Sequence, residues 1–153
     1  MSEKPSALSA RRISIVACLA AFALALTAMP AQAEPAVRFA KIQYNSPGSD
    51  TGSNSSLNAE WVRITNHSST NRVLSDWSIK DRAGYVFNFP TFTLKAGASV
   101  RVHTGSGTDS QTDLYWDRNW YVWNNAGDTA FLRKSGPTRV DRCEWGSGSG
   151  VKS

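Results

Sequence analysis

Beyond Ala33 the chain never sustains a helical repeat of apolar residues. It consists of short runs rich in Val, Ile, Thr and aromatic residues, separated by clusters of Gly, Asn, Asp and Ser. Within the runs apolar and polar residues alternate, and a period of two places successive side chains on opposite faces of a strand. Many short alternating runs between turn signals predict an all-β sandwich or barrel.

The expected strands follow in order. Val37–Tyr44 has Val37 and Phe39 on one face but Ile42 and Tyr44 on the other, which predicts a β-bulge or a change of sheet. Asn45–Asn58, nearly all Ser, Gly, Asn and Asp, reads as a loop. Glu60–Thr65 is the clearest strand, with Val62 and Ile64 facing inward and Trp61 on the opposite face or at a sheet edge. Leu74–Lys80 carries Trp77 and Ile79 two apart. Tyr85, Phe87 and Phe89 alternate up to Pro90, which cannot donate to a ladder. Phe92–Leu94 reads as a short edge, and Val100 and Val102 mark the next strand. Thr104–Thr112 is a polar loop. Tyr121–Trp123 and Thr129–Arg133 are expected to pair as a hairpin across Asn124–Asp128. Arg139–Trp145 is the last strand, and residues 147–153 read as a flexible Gly/Ser tail.

The first 33 residues have another character. Lys4, Arg11 and Arg12 precede an apolar run from Ile13 to Ala28, which ends at Ala31-Gln32-Ala33. That is the layout of a secretory signal peptide cleaved after Ala33. A retained membrane helix and a lipid anchor at Cys18 are the competing readings. The apolar run is short for a span, and it mostly follows the cysteine instead of closing on it. The expectation is a secreted or cell-wall-associated domain over 34–146 with no stable membrane span after cleavage.

Setting aside Lys4, Arg11, Arg12 and Glu3 takes the 17 basic and 12 acidic residues to 14 and 11, and the net charge from +5 to +3. That mild excess does not demand nucleic acid. Cys143 is the only cysteine after the leader. An intramolecular disulfide is then excluded, leaving either a buried thiol or an intermolecular bridge.

Signatures of catalysis are missing. The chain has no G-x-S-x-G, no H-E-x-x-H and no phosphate-binding P-loop, and Gly105-Ser106-Gly107 does not complete a dinucleotide fingerprint. His67 sits in a polar turn, and His103 ends a strand beside a glycine loop. Asp50, Asn54, Asn58 and Glu60 are oxygen donors of the kind calcium takes. Their spacing departs from the EF-hand loop, and Asp and Asn in turns ordinarily bond their own backbone. No catalytic residue, metal or cofactor is expected.

The densest chemistry is aromatic. Tyr115, Trp116, Trp120, Tyr121 and Trp123 lie within ten positions, with Arg118 among them. One strand face cannot bury them all, and exposed Trp, Tyr and Arg make binding hot spots. Trp116 and Trp120 are expected to splay outward from a tight turn. The candidate partner-binding residues are thus Tyr115, Trp116, Arg118, Trp120 and Tyr121.

Several blocks resemble the lamin tail domain family. Leu57-Asn58-Ala59-Glu60-Trp61-Val62-Arg63-Ile64-Thr65-Asn66 is similar to its second strand. Leu74-Ser75-Asp76-Trp77-Ser78-Ile79-Lys80-Asp81 and Leu94-Lys95-Ala96-Gly97 also resemble the family. Val102-His103-Thr104-Gly105 and Trp123-Asn124-Asn125-Ala126-Gly127-Asp128-Thr129-Ala130 are similar to its bacterial, exported branch. The resemblance runs from about Arg38 to Trp145. It implies an immunoglobulin-like β-sandwich acting through contacts with proteins or nucleic acid, without the filament-forming rod of the nuclear lamins. The expected function is a non-enzymatic exported interaction module for an unknown protein or cell-wall component. The alternative is an extracellular nucleic-acid-binding domain, for which nine arginines against five lysines after the leader would suit phosphate contact.

Overall fold

The computed structural model describes residues 33–136 and 138–153. The expected leader, apart from Ala33, lies outside the described residues.

The strands are β1 (Val37–Gln43), β2 (Trp61–Asn66), β3 (Arg72–Val73), β4 (Trp77–Lys80), β5 (Val86–Asn88) and β6 (Thr93–Leu94), then β7 (Ser99–His103), β8 (Asp113–Tyr115), β9 (Gly127–Lys134), β10 (Thr138–Gly146) and β11 (Val151–Lys152). One helix, α1 (Asn54–Asn58), precedes β2. They form a five-stranded sheet ordered β11-β1-β2-β7-β8, a four-stranded sheet ordered β10-β9-β4-β5, and a two-stranded ladder of β3 with β6. This is one of the all-β forms the alternation predicts, a sandwich, and it is of the immunoglobulin-like kind that the resemblance implies.

The core lies between the two larger sheets. From the first come Ile42, Val62, Ile64, Val100, Val102 and Leu114; from the second come Ile79, Phe87, Ala130 and Leu132. Val62 and Ile64 face inward as expected, at 0% and 1% exposure. Each such side chain taken out of water contributes roughly 1.5–3 kcal/mol. The expected bulge lies in β1, where the register with β2 shifts between Phe39 and Lys41. The extra residue brings Val37 and Phe39 onto the same side as Ile42 and Tyr44. The Phe39 N–H at the bulge donates to the Asp141 carboxylate at 2.7 Å, beside the register shift of β10 between Arg139 and Asp141. The two irregularities thus satisfy each other across the sheets.

Several expectations are corrected. The Asn45–Asn58 loop ends in α1, because Ser53 caps it by accepting from the Ser56 N–H and Leu57 is buried beneath it. Leu74–Lys80 is not one strand. Leu74 leaves the β3–β6 ladder to enter the core, and β4 begins only at Trp77. Tyr121–Trp123 is not a strand, and the hairpin is instead β9 with β10, turning at Ser135-Gly136. The sheet position beside β7 is filled by β8, which pairs with it in parallel. The Gly/Ser tail is held in place. Val151 pairs with Gln43, the Gly150 carbonyl accepts the N–H of Tyr44 at 2.9 Å, and the Gly150 N–H donates to the Tyr44 hydroxyl at 3.1 Å. An unpaired β1 edge would expose backbone groups, and the tail satisfies them.

Candidate functional site

The aromatic segment after β8 is organised by a buried carboxylate. Glu60 opens the clearest strand and is 1% exposed. Its Oε1 accepts the Thr104 hydroxyl at 2.6 Å, the Val122 N–H at 2.9 Å and the Trp123 N–H at 3.3 Å. These backbone donors would otherwise enter a ladder, which is why Tyr121–Trp123 forms no strand. Burial pushes the Glu60 carboxyl up to about 7, against the lowering effect of the three donors.

The chain leaves β8 along the end of β7. Trp116 N–H donates to the His103 carbonyl at 2.8 Å, and Arg118 N–H to the Thr104 carbonyl at 2.9 Å. Between them Asp117 adopts φ 56°, a left-handed conformation that Asp tolerates better than most residues. That turn separates the two tryptophans expected to splay together. Trp116 packs on the core, its ring 5.8 Å from both Phe87 and Trp123. The contacts continue from Trp123 to Trp145 at 5.6 Å, and from Trp145 to Tyr44 at 5.0 Å. Trp116 is therefore partly buried against the core and does not splay outward with Trp120. Trp120 stands in solvent at 59% exposure.

The Trp120 ring is nevertheless supported. It lies edge-on to Tyr121 and against Gly52, where an added Cβ would meet the ring at 2.6 Å. Tyr121 hydroxyl contacts Ser56 on α1 and accepts the Gly52 N–H at 3.3 Å. Arg118 lies 4.3 Å over the Tyr85 ring. Tyr115 turns to another surface and stacks on His103 at 5.1 Å. Of the five expected partner-binding residues, Trp120 and Tyr121 stand together, Arg118 sits over Tyr85, Tyr115 belongs to the sheet face, and Trp116 is partly buried against the core.

Of the oxygen donors considered for calcium, Asn54 Oδ1 and Glu60 Oε1 accept hydrogen bonds, whereas Asn58 Oδ1 is buried without a partner. Asn54 donates to the Ser106 carbonyl at 2.9 Å and accepts the Ser106 N–H at 2.8 Å, while Asn58 donates to the same carbonyl at 2.9 Å. Together they clamp the Gly105-Ser106-Gly107 loop. Its glycines serve close approach: a Cβ on Gly105 would meet Asn54 Oδ1 at 2.5 Å, and one on Gly107 the Tyr115 ring at 2.4 Å. Among the described residues no group of three His, Cys, Asp or Glu side chains could hold a metal ion.

A second surface was not visible as a motif. On the outer face of the five-stranded sheet, Lys41, Arg63, Arg101 and Asp113 stand opposite one another on β1, β2, β7 and β8. Gln43, Trp61, His103 and Tyr115 form the adjacent row. Lys41 and Arg101 lie over the Trp61 ring at 6.0 and 5.2 Å. His103 faces an acceptor at each ring nitrogen, the Asn58 carbonyl and Asp113 Oδ1, both at 2.8 Å. Partial burial alone would raise the Asp113 carboxyl. The hydrogen bonds from His103 and Thr112, with the charges of His103 and Arg101, outweigh it and hold the group below its usual range. The other sheet also carries cations outward, with Arg133 opposite Arg139, and Arg142 and Lys80 either side of Phe131. Positive charge thus occupies both outer faces.

A family model described as Lamin Tail Domain matches residues 30–147. No curated protein matches the chain significantly.

Proposed function

The chain belongs to the lamin tail domain family, and from that premise we propose that it is a non-enzymatic interaction module, exported by its N-terminal leader, that binds a protein or cell-wall partner at the sandwich end carrying Trp120 and Tyr121. The family is a β-sandwich compatible with such a role. The observation that carries the reading is Trp120, a large apolar ring left 59% exposed yet held by Gly52 and Tyr121. A ring fixed before binding offers large contact area with little ordering entropy left to lose. The rigid sandwich presents it from a loop, where binding residues concentrate.

The test separates Trp120 from Trp116. Trp120→Ser should leave the melting temperature nearly unchanged and abolish capture of the partner from cell-wall extract or secreted protein. Trp116→Ser should lower the melting temperature by many degrees, because it opens the core beside Phe87 and Trp123. Retained capture by a folded Trp120→Ser protein would remove this site. Export is checked by N-terminal sequencing of protein recovered outside the cell, which should begin at Glu34.

A further inference from the structure

We propose that Arg63 and Arg101 form a binding site for a phosphate- or sulfate-type oxyanion on the outer face of the five-stranded sheet. The inference is independent of the partner site at Trp120. It starts from a cost. Lys41 is the cross-strand partner of Arg63, and Arg63 is the partner of Arg101. Like charges directly opposite on neighbouring strands destabilise a sheet. Three cations in one row carry that penalty twice.

The acid at the end of the row offsets it only in part. Asp113 gives Oδ1 to His103 at 2.8 Å and Oδ2 to the Thr112 hydroxyl at 2.7 Å. Arg101 reaches it only at 3.7 Å. Arg63 enters none of the ion pairs among the described residues, and its Nε is buried without a hydrogen-bond partner. Arg63 is therefore left without a counter-charge, beside an Arg101 that shares its one acid with His103.

They also have a shaped setting. Arg63, Ser99, Val100, Arg101, Thr112 and Asp113 line an open groove of about 260 Å³. The Trp61 ring supports Arg101 and Lys41 from the side. Ser99 and Thr65 hydroxyls share one hydrogen bond at 2.7 Å, so one hydroxyl hydrogen of the pair remains to donate. Two guanidinium forks and a hydroxyl offer donors from several directions. A planar carboxylate is satisfied by one fork, whereas a tetrahedral oxyanion has oxygens for all of them. The other outer face has one opposed pair, Arg133 and Arg139, with Arg133 lying over Phe131. Arg133, like Arg63, has a buried Nε without a partner and enters no ion pair among the described residues, so it serves as the control for those features outside the groove.

The experiment titrates the purified, isotope-labelled protein with pyrophosphate, and separately with sodium chloride at matched ionic strength. The readout is the side-chain Nε–H resonances of its arginines. Saturable shifts at Arg63 and Arg101 with pyrophosphate, and not with chloride, support the site. Arg63→Gln should weaken pyrophosphate binding about tenfold or more, while Arg133→Gln changes it less than about twofold. Relief of the opposed charges should also raise the melting temperature of Arg63→Gln at low salt. Shifts that never saturate, that chloride reproduces, or that Arg133→Gln suppresses equally would overturn the proposal. The wild-type titration stands even if a variant fails to fold. A short phosphodiester oligomer forms the last arm. Binding tighter than pyrophosphate identifies a polymer phosphate as the source, and weaker binding a free oxyanion; both outcomes support the site.

Discussion

Glu60 Oε1 accepts the Val122 backbone N–H across 2.9 Å, joining residues 62 positions apart. The bond latches the aromatic segment to the start of β2 and makes the segment sensitive to pH. Burial raises the Glu60 carboxyl from 4.5 to about 7 in the folded protein. The fold therefore holds this proton more tightly than the unfolded chain does. The resulting stabilisation is fully present below about pH 4.5 and is lost as pH rises toward 7, by on the order of 3 kcal/mol. Urea unfolding at pH 5 and pH 8 should show that difference, and Glu60→Gln should remove it. An equal slope in the variant would assign the pH dependence to other groups.

Ile64→Ala should cost ~2–5 kcal/mol, because a fully buried side chain between the sheets leaves a cavity. Arg63→Ala, one position away on the outer face, should cost far less. Chemical denaturation of the two variants compares them directly, and equal midpoints would contradict the facing of β2.

Deleting residues 147–153 should destabilise the domain. The deletion removes the Gly150 carbonyl that accepts from Tyr44, the Gly150 N–H that reaches the Tyr44 hydroxyl, and the pairing of Val151 with Gln43. At about 0.5–1.5 kcal/mol for each hydrogen bond, the loss should be measurable by thermal unfolding. It should also raise the tendency to associate, since the β1 edge becomes free. An unchanged melting temperature would show that the tail contributes nothing.

Cys143 should alkylate slowly in the native protein. It is half-buried on β10 and packs against the core. Burial pushes its thiol above the usual range, which lowers the reactive thiolate fraction at neutral pH. Iodoacetamide should modify it slowly until urea is added, and a non-reducing gel should show a monomer. Rapid native labelling or a reducible dimer would place the thiol at an accessible interface.

Strands whose side chains obey a period of two were readable from residue order alone. Val62 and Ile64 face inward because alternation leaves no other arrangement that buries both. The β1 bulge was readable for the same reason, since Val37, Phe39, Ile42 and Tyr44 cannot share one face without an extra residue. Local pattern also carried the sandwich class and the family likeness. What it could not carry depends on partners distant in the chain. Tyr121–Trp123 has the composition of a strand, yet a carboxylate some 60 residues away takes its backbone donors. Trp116 and Trp120 are chemically identical and four positions apart, and only the turn at Asp117 and the neighbours Phe87, Trp123 and Gly52 pack one against the core and leave the other exposed. Lys41, Arg63 and Arg101 are scattered over sixty positions, and strand register alone sets them side by side. Periodicity is a property of neighbours in sequence, whereas burial of a particular ring and opposition of particular charges are properties of neighbours in space.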